Sequence, residues 1–272
     1  MCATCGCGGE GAVITPAGDN HDQDHPHDHD HPQDQPHDHP HDHPHESIHT
    51  ETITLEQKVL AKNDLIAEEN REWLAERNIL ALNMTSSPGA GKTALLERTI
   101  RELRGQRPIA VIEGDQETLL DANRIRAAGA RAVQINTGAG CHLDADMVRR
   151  ALDTLDPEPG SLLFIENVGN LVCPAMFDLG EHSKVVVISV TEGTDKPLKY
   201  PHMFAAAGLV VINKMDLLPY VDFDVDTCAG YARSLNADVK ILPLSATRGD
   251  GVPDWCTWVA RLADPPRNGH VT

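Results

Sequence analysis

Ser86-Ser87-Pro88-Gly89-Ala90-Gly91-Lys92-Thr93 stands between an apolar run, Asn78 to Thr85, and a stretch with Leu95, Leu96, Ile100 and Leu103 at helical spacing. The first run reads as a short buried strand and the second as an amphipathic helix. A glycine-rich turn ending in Gly-Lys-Thr between such elements is a phosphate-binding loop. Small residues let the backbone N–H groups of Gly89, Ala90, Gly91, Lys92, Thr93 and Ala94 face a polyphosphate at a helix N-terminus. Lys92 reaches the outer phosphates, and the Thr93 hydroxyl is a ligand for Mg²⁺. The usual pattern opens with Gly, where this chain has Ser86. A coincidental glycine turn is the bland alternative, and the strand–turn–helix context weighs against it. The loop implies a nucleoside triphosphate ligand.

From Ile79 onward apolar strands alternate with helices. The pattern predicts strands at 79–85, 108–113, 131–136, 161–166, 184–190, 208–213 and 239–244. It predicts helices at 92–104, 117–128, 142–155, 197–206, 223–236 and 252–262. Runs such as Lys184-Val185-Val186-Val187-Ile188 are apolar on both faces, as a central parallel strand requires. The fold class expected is α/β, a doubly wound, mostly parallel sheet flanked by helices, with sites at the carboxyl ends of the strands. Thr54-Leu55-Glu56-Gln57 matches a capping box. It starts a predicted leading helix, 54–76, with Leu55, Val59, Ile66, Trp73 and Leu74 along one face.

Asn213-Lys214-Met215-Asp216 follows the strand Leu209 to Ile212. An Asp beyond a strand end can accept from both N1–H and the exocyclic amine of guanine. Adenine would leave that carboxylate unpaired. Ser245-Ala246-Thr247 follows the last strand and fits a loop that meets the guanine O6 through a backbone amide. Glu166 ends the strand Leu162 to Ile165, and Gly169 can present its N–H to a γ-phosphate. Asp115 ends the strand Ile109 to Ile112. Lys92, Asp115 and Glu166 are the candidate catalytic residues; Thr93, Asp115 and Glu166 are the candidate Mg²⁺ ligands. An acidic helix cap is the alternative for Asp115. A deviant-loop ATPase is the rival within the fold, but it carries an extra Lys where this chain has Ser87.

The first fifty residues differ from the rest: they hold ten carboxylates and neither Lys nor Arg, within a chain of net charge −18. Residues 1–50 are expected to form a disordered Cys/His-rich tail, and 51–272 the nucleotide domain. His21, His25, His27, His29, His31, His37, His39, His41, His43 and His45 alternate with Asp, Pro and Gln. No apolar side chain there can offset the entropy of ordering. Imidazoles at that density chelate Ni²⁺, Zn²⁺ or Cu²⁺; an interrupted expression tag or a merely solvating tail are the alternatives. Cys2, Cys5 and Cys7 are three thiols that can wrap one metal. No apolar run approaches the ~20 residues needed to span a bilayer, and no signal segment is evident. A cytoplasmic protein with reduced thiols is expected. The acidic balance argues against non-specific nucleic-acid binding as the main activity, and no nucleic-acid partner is expected.

Gly138-Ala139-Gly140-Cys141-His142 follows the strand Ala132 to Asn136, and Cys173-Pro174 lies seven residues after Glu166. Either motif taken singly is weak. Loops at one rim of the sheet can converge, and Cys141, His142 and Cys173 make a donor set for Ni²⁺ or Zn²⁺. At this point the motifs, in order, are Ser-Ser-Pro-Gly-Ala-Gly-Lys-Thr, Glu-Gly-Asp-Gln, Gly-x-Gly-Cys-His-Leu-Asp, Glu-Asn-Val-Gly-Asn-Leu-Val-Cys-Pro and Asn-Lys-Met-Asp. Together they resemble the HypB family of hydrogenase nickel-incorporation GTPases, across roughly residues 50–265. The resemblance implies a metal-binding P-loop GTPase of the SIMIBI class. Such a protein uses GTP, cycles to GDP, and dimerises with GTP. It delivers nickel to the hydrogenase large-subunit precursor with a HypA-type accessory protein. The urease accessory GTPases are the rival family, with a Cys-Pro-His motif where this chain has Cys173-Pro174-Ala175.

Overall fold

The computed structural model describes residues 13–16, 46–115, 120–138 and 140–263; of 13–16, 46–56 and 120 only the backbone is described. Cys2, Cys5, Cys7 and the histidines from His21 to His45 lie outside the described residues. The strands are β1 (Val13–Pro16), β2 (Leu80–Ser86), β3 (Ile109–Asp115), β4 (Arg131–Asn136), β5 (Leu162–Glu166), β6 (Ser183–Ser189), β7 (Leu209–Asn213) and β8 (Lys240–Pro243). They form one sheet in the order β1-β4-β3-β5-β2-β6-β7-β8. All neighbours from β4 to β8 run parallel, and β1 lies antiparallel on β4. The helices are α1 (Glu46–Glu76), α2 (Lys92–Glu102), α3 (Leu120–Ala128), α4 (Ala145–Leu155), α5 (Lys196–Lys199), α6 (Pro201–Ala205), α7 (Val225–Leu235) and α8 (Val252–Ala263).

β2, β5 and β7 are buried at every residue. Their alternate side chains feed opposite faces. Leu82, Met84, Phe164 and Val211 pack with Leu95, Leu96, Trp255 and Trp258 of α2 and α8. Ala81, Leu163 and Ile165 pack on the other face with Leu74 of α1 and Val148 and Leu152 of α4. Farther along that sheet, Val186, Ile188, Val210 and Ile212 pack on Met203, Phe204 and Cys228. A sheet covered on both faces demands such uninterrupted apolar strands, which is why their pattern was readable.

The seven predicted strands are β2 to β8, with ends moved by one or two residues. Three expectations are corrected. The helix predicted from 142 starts at Ala145, because the Asp144 side chain caps it by accepting from Met147 N at 2.7 Å. Cys141 and His142 therefore sit in the loop before α4. The helix predicted over 197–206 is two short helices. Pro201 disfavours helical geometry in Tyr200, which takes φ −128° and ψ 54°. The leading helix, expected from a capping box at Thr54, starts earlier. α1 begins at Glu46, and β-branched Val13, Ile14 and Thr15 lead into an edge strand that ends on Pro16, where a missing N–H costs least.

α1 is tied to the rim that carries the sites. Asn70 Nδ2 donates to the carbonyls of Ala145 and Leu179 at 2.8 and 3.1 Å. Asn63 donates to the Asp178 carbonyl at 2.8 Å and accepts from Ala145 N at 2.9 Å. The helix approaches so closely that a Cβ on Gly180 (φ 87°) would fall 2.6 Å from the Ala67 carbonyl oxygen.

Candidate nucleotide and metal site

The phosphate loop joins β2 to α2 as the sequence predicts, and distant side chains hold its shape. Asn213 Nδ2 donates to the Ala90 carbonyl at 2.8 Å, and Asn213 Oδ1 accepts from Ala246 N at 3.0 Å. Lys214 Nζ donates to the Gly89 carbonyl at 2.7 Å. Gly91 is obligatory here: it takes φ 93°, and a Cβ would lie 2.5 Å from Asn213 Nδ2. Asp216, two residues past Lys214, accepts from the Ser245 hydroxyl at 2.6 Å, which fixes the orientation of its carboxylate. Ser245 and Ala246 are buried while Thr247 is exposed. The Asn-Lys-Met-Asp turn and the Ser-Ala-Thr turn thus brace one side of the loop.

On the other side lies a cavity of about 340 Å³ lined by Gly89, Ala90, Gly91, Lys92, Thr93 and Ala94 together with Glu113, Asp115, Glu166 and Gly169. Glu166 is only 2% exposed. Its Oε1 accepts from Lys92 Nζ at 2.7 Å and from the Thr93 hydroxyl at 2.6 Å. Its Oε2 is buried and has no hydrogen-bond partner among the described residues. An unpartnered carboxylate oxygen beside a hydroxyl, with Asp115 lining the same cavity, is a hard-oxygen donor set that fits Mg²⁺. The three predicted Mg²⁺ ligands are therefore brought to one cavity.

Glu113 was not singled out by the sequence, yet it lines this cavity. It pairs with Glu166 in register across β3 and β5. Its side chain is buried, and Oε2 has no partner among the described residues. Burial first, and the Glu166 charge second, push its carboxyl from 4.5 up to about 8. The readable signal was a Glu inside an otherwise apolar strand, which has to be either paired or protonated.

Beyond Glu166 the chain runs to the metal-ligand candidates. Cys141 Sγ lies 2.9 Å from Cys173 Sγ and 3.6 Å from His142 Nδ1. One donor atom from each of the three residues lies within 4.8 Å of the others. Tetrahedral donors at bonds near 2.3 Å stand about 3.8 Å apart, so the triad can supply three corners around one ion. Burial lowers the His142 pKa, against the opposing pull of Asp144, which favours the neutral imidazole that a metal needs. Cys228 and Cys256 are not part of the site. Burial pushes both thiols up to about 11, away from the thiolate that binds metal. Asn170 Nδ2 donates to the Cys141 carbonyl at 3.2 Å, and Asn167 Oδ1 accepts from Leu143 N at 3.2 Å. The segment that leaves Glu166 therefore grips the loop carrying Cys141 and His142.

Residues 80–243 match the CobW/HypB/UreG nucleotide-binding domain family. The hydrogenase maturation factor HypB of Azotobacter vinelandii is 59% identical over 209 residues, covering 77% of this chain and 69% of the relative. That of Escherichia coli K12 is 56% identical over 207 residues, covering 76% and 71%. The chain belongs to the CobW/HypB/UreG family, in its HypB branch. HypB from Archaeoglobus fulgidus superposes with a TM-score of 0.70 at 40% identity, covering 75% of this chain and all of the other. HypB from Helicobacter pylori, solved in complex with nickel, has a TM-score of 0.70 at 37% identity and covers 74% of this chain and 95% of the other. The HypB match spans both the phosphate loop and the Cys-His and Cys-Pro segments.

The Glu113 pKa gives a signed prediction. A carboxyl raised from 4.5 to about 8 on folding takes up a proton between those values. Its contribution to stability is complete below the unfolded value and is lost as pH rises through the folded one. Urea midpoints of the metal-free protein should fall over this window, and Glu113→Gln should flatten the fall by about one proton's worth of slope. Identical pH profiles for the two proteins contradict a protonated Glu113.

Proposed function

We propose that the protein is a GTP-hydrolysing nickel metallochaperone that helps insert nickel into the large-subunit precursor of a [NiFe] hydrogenase. One observation carries this reading. A single segment, 166–173, holds the phosphate side through Glu166 and the metal side through Asn170 and Cys173. Asp216, oriented by Ser245, selects guanine, and the loop from Gly89 to Ala94 binds the phosphates. Thr93, Asp115 and Glu166 would hold Mg²⁺, which would supply neutralisation of phosphate charge when bound. Lys92 stabilises the outer phosphates, and Gly169 offers its N–H to the γ-phosphate. No Gln or Arg finger was evident in the sequence for fast turnover, so slow conversion of GTP to GDP is expected.

Nickel is cargo. Cys141, His142 and Cys173 would bind it or Zn²⁺, and a second protomer of a GTP-dependent homodimer would supply further donors. Cys2, Cys5, Cys7 and the ten tail histidines would form an added store, and a HypA-type protein would be the exchange partner. Among the described residues no helix is long and apolar enough to cross a membrane.

Lys92→Ala should lower GTP turnover by roughly 10²- to 10³-fold, as for loss of a charge-stabilising donor. Asp216→Asn should weaken GTP roughly 10- to 150-fold, the value of a hydrogen bond to a charged group, and favour xanthosine nucleotides. Steady-state hydrolysis and competition binding read both. Normal turnover in Lys92→Ala would remove the phosphate-loop assignment.

The density of histidines in the tail favours a second reading, in which the protein chiefly stores nickel. Deleting residues 19–46 separates the two in a strain lacking the native copy. Delivery predicts that hydrogenase activity survives when nickel is plentiful and falls when it is scarce. Storage alone predicts that cellular nickel capacity and maturation fail together at every nickel level.

A further inference from the structure

Lys184 heads the run Lys184-Val185-Val186-Val187-Ile188 in β6, where a central parallel strand calls for apolar side chains. It is buried all the same, 8% exposed. Its Nζ donates to the Pro174 carbonyl at 2.8 Å and to the Phe177 carbonyl at 3.2 Å, and it stands 3.7 Å from Glu181 Oε1. A buried ammonium persists only where oxygens match its protons, and these three do so. Both carbonyls belong to the segment that presents Cys173. Pro174 directly follows Cys173 within the 3₁₀ turn Cys173–Ala175. The Phe177 ring lies against the His142 imidazole, with centroids 4.0 Å apart. One ammonium therefore holds the backbone at both points where this segment meets the triad.

Its counter-ion reaches toward the phosphate side. Glu181 Oε1 accepts from Asn83 Nδ2 at 2.9 Å, and Oε2 accepts from Leu179 N at 2.7 Å. Asn83 Oδ1 in turn accepts from Asn167 Nδ2 at 3.3 Å, and Asn167 directly follows Glu166. Asn83 and Lys184 are register partners across β2 and β6. We propose that Lys184 is a positioning residue of the metal site, clamping the Pro174 and Phe177 carbonyls and so fixing the separation and direction of Cys173 and His142. It touches no donor atom itself. The proposal rests on Cys141, His142 and Cys173 being nickel ligands. Partners that orient ligands from outside the coordination sphere change metal affinity roughly 10- to 100-fold.

The test uses the full chain carrying Cys2→Ala, Cys5→Ala and Cys7→Ala, titrated with Ni²⁺ alone. Histidine nitrogens give no sulfur-to-nickel charge-transfer absorption, so the band reports the internal thiolates. A band that weakens or shifts on Cys173→Ala and is lost when Cys141→Ala is added supports the ligand assignment; a band unchanged on Cys173→Ala overturns that assignment and the role of Lys184 with it. With the band assigned, Lys184→Met should weaken Ni²⁺ roughly 10- to 100-fold and shift the band. Lys184→Arg, which keeps the charge and donors, should recover part of the affinity. Lys184→Met leaves Glu181 without its cation, so Lys184→Met with Glu181→Gln, neutral at both positions, is titrated beside it. The same weakening and shift are expected. Unchanged affinity and band position in either variant overturn the proposal. So does a band that keeps its position and falls only with the unfolded fraction read by circular dichroism.

Discussion

A buried carboxylate at the end of β5, Glu166, is the interaction on which the rest of the rim depends. One of its oxygens takes both the Lys92 ammonium and the Thr93 hydroxyl, in a place almost closed to water. Burying an ion pair costs several kcal/mol per ion in desolvation, and the mutual attraction repays this only with good geometry. A hydrophobic pair would hold β5 to the phosphate loop at less cost. What the ion pair adds is a charge that can change partners. Lys92 and Thr93 are the two groups a triphosphate with its metal would engage, so the contact that ties Glu166 to the loop is also the one a nucleotide would redistribute.

The consequences follow the chain outward from Glu166. Asn167 bonds to the Leu143 amide and to Asn83, Asn170 bonds to the Cys141 carbonyl, and Cys173 meets Cys141. Farther on, Asn63 and Asn70 of α1 hold the start of α4 and the turn at Asp178 and Leu179. Each link is a hydrogen bond between segments far apart in sequence. Buried polar networks of this kind are demanding, because one missing partner strands the next. They stiffen the segments they join, so a shift at Glu166 would be expected to be felt at the thiols.

The sheet was legible because burial on both faces leaves no room for polar side chains, so Val185 to Ile188 and Leu209 to Ile212 read as strands from composition alone. The nucleotide loops were legible because phosphate and guanine impose fixed residue types at strand ends. Periodicity tells which face a residue occupies but not which distant segment meets it. Hence Asn213, expected at the base, also proves to be the brace of the phosphate loop. Lys184 passed as the polar end of an apolar strand, although its burial makes it the anchor of the Cys173 turn. Glu113 was passed over for Asp115, since spacing alone cannot tell which of two nearby carboxyls the register places opposite Glu166. The start of α4 moved because Asp144, rather than a residue near His142, supplies the cap.

Because one segment joins Glu166 to Cys173, we infer that nucleotide state and metal affinity are one equilibrium carried by residues 166–173. Its most direct test is the Ni²⁺ affinity of the full chain carrying Cys2→Ala, Cys5→Ala and Cys7→Ala, read from the sulfur-to-nickel band. The comparison is between saturating GDP with Mg²⁺ and a non-hydrolysable GTP analogue with Mg²⁺. Coupling of about 1–3 kcal/mol predicts that the two affinities differ roughly fivefold to 150-fold, and that nickel changes the affinity for the analogue relative to GDP by the same factor. Equal nickel affinities in the two nucleotide states would contradict the account and leave the triad a static metal site.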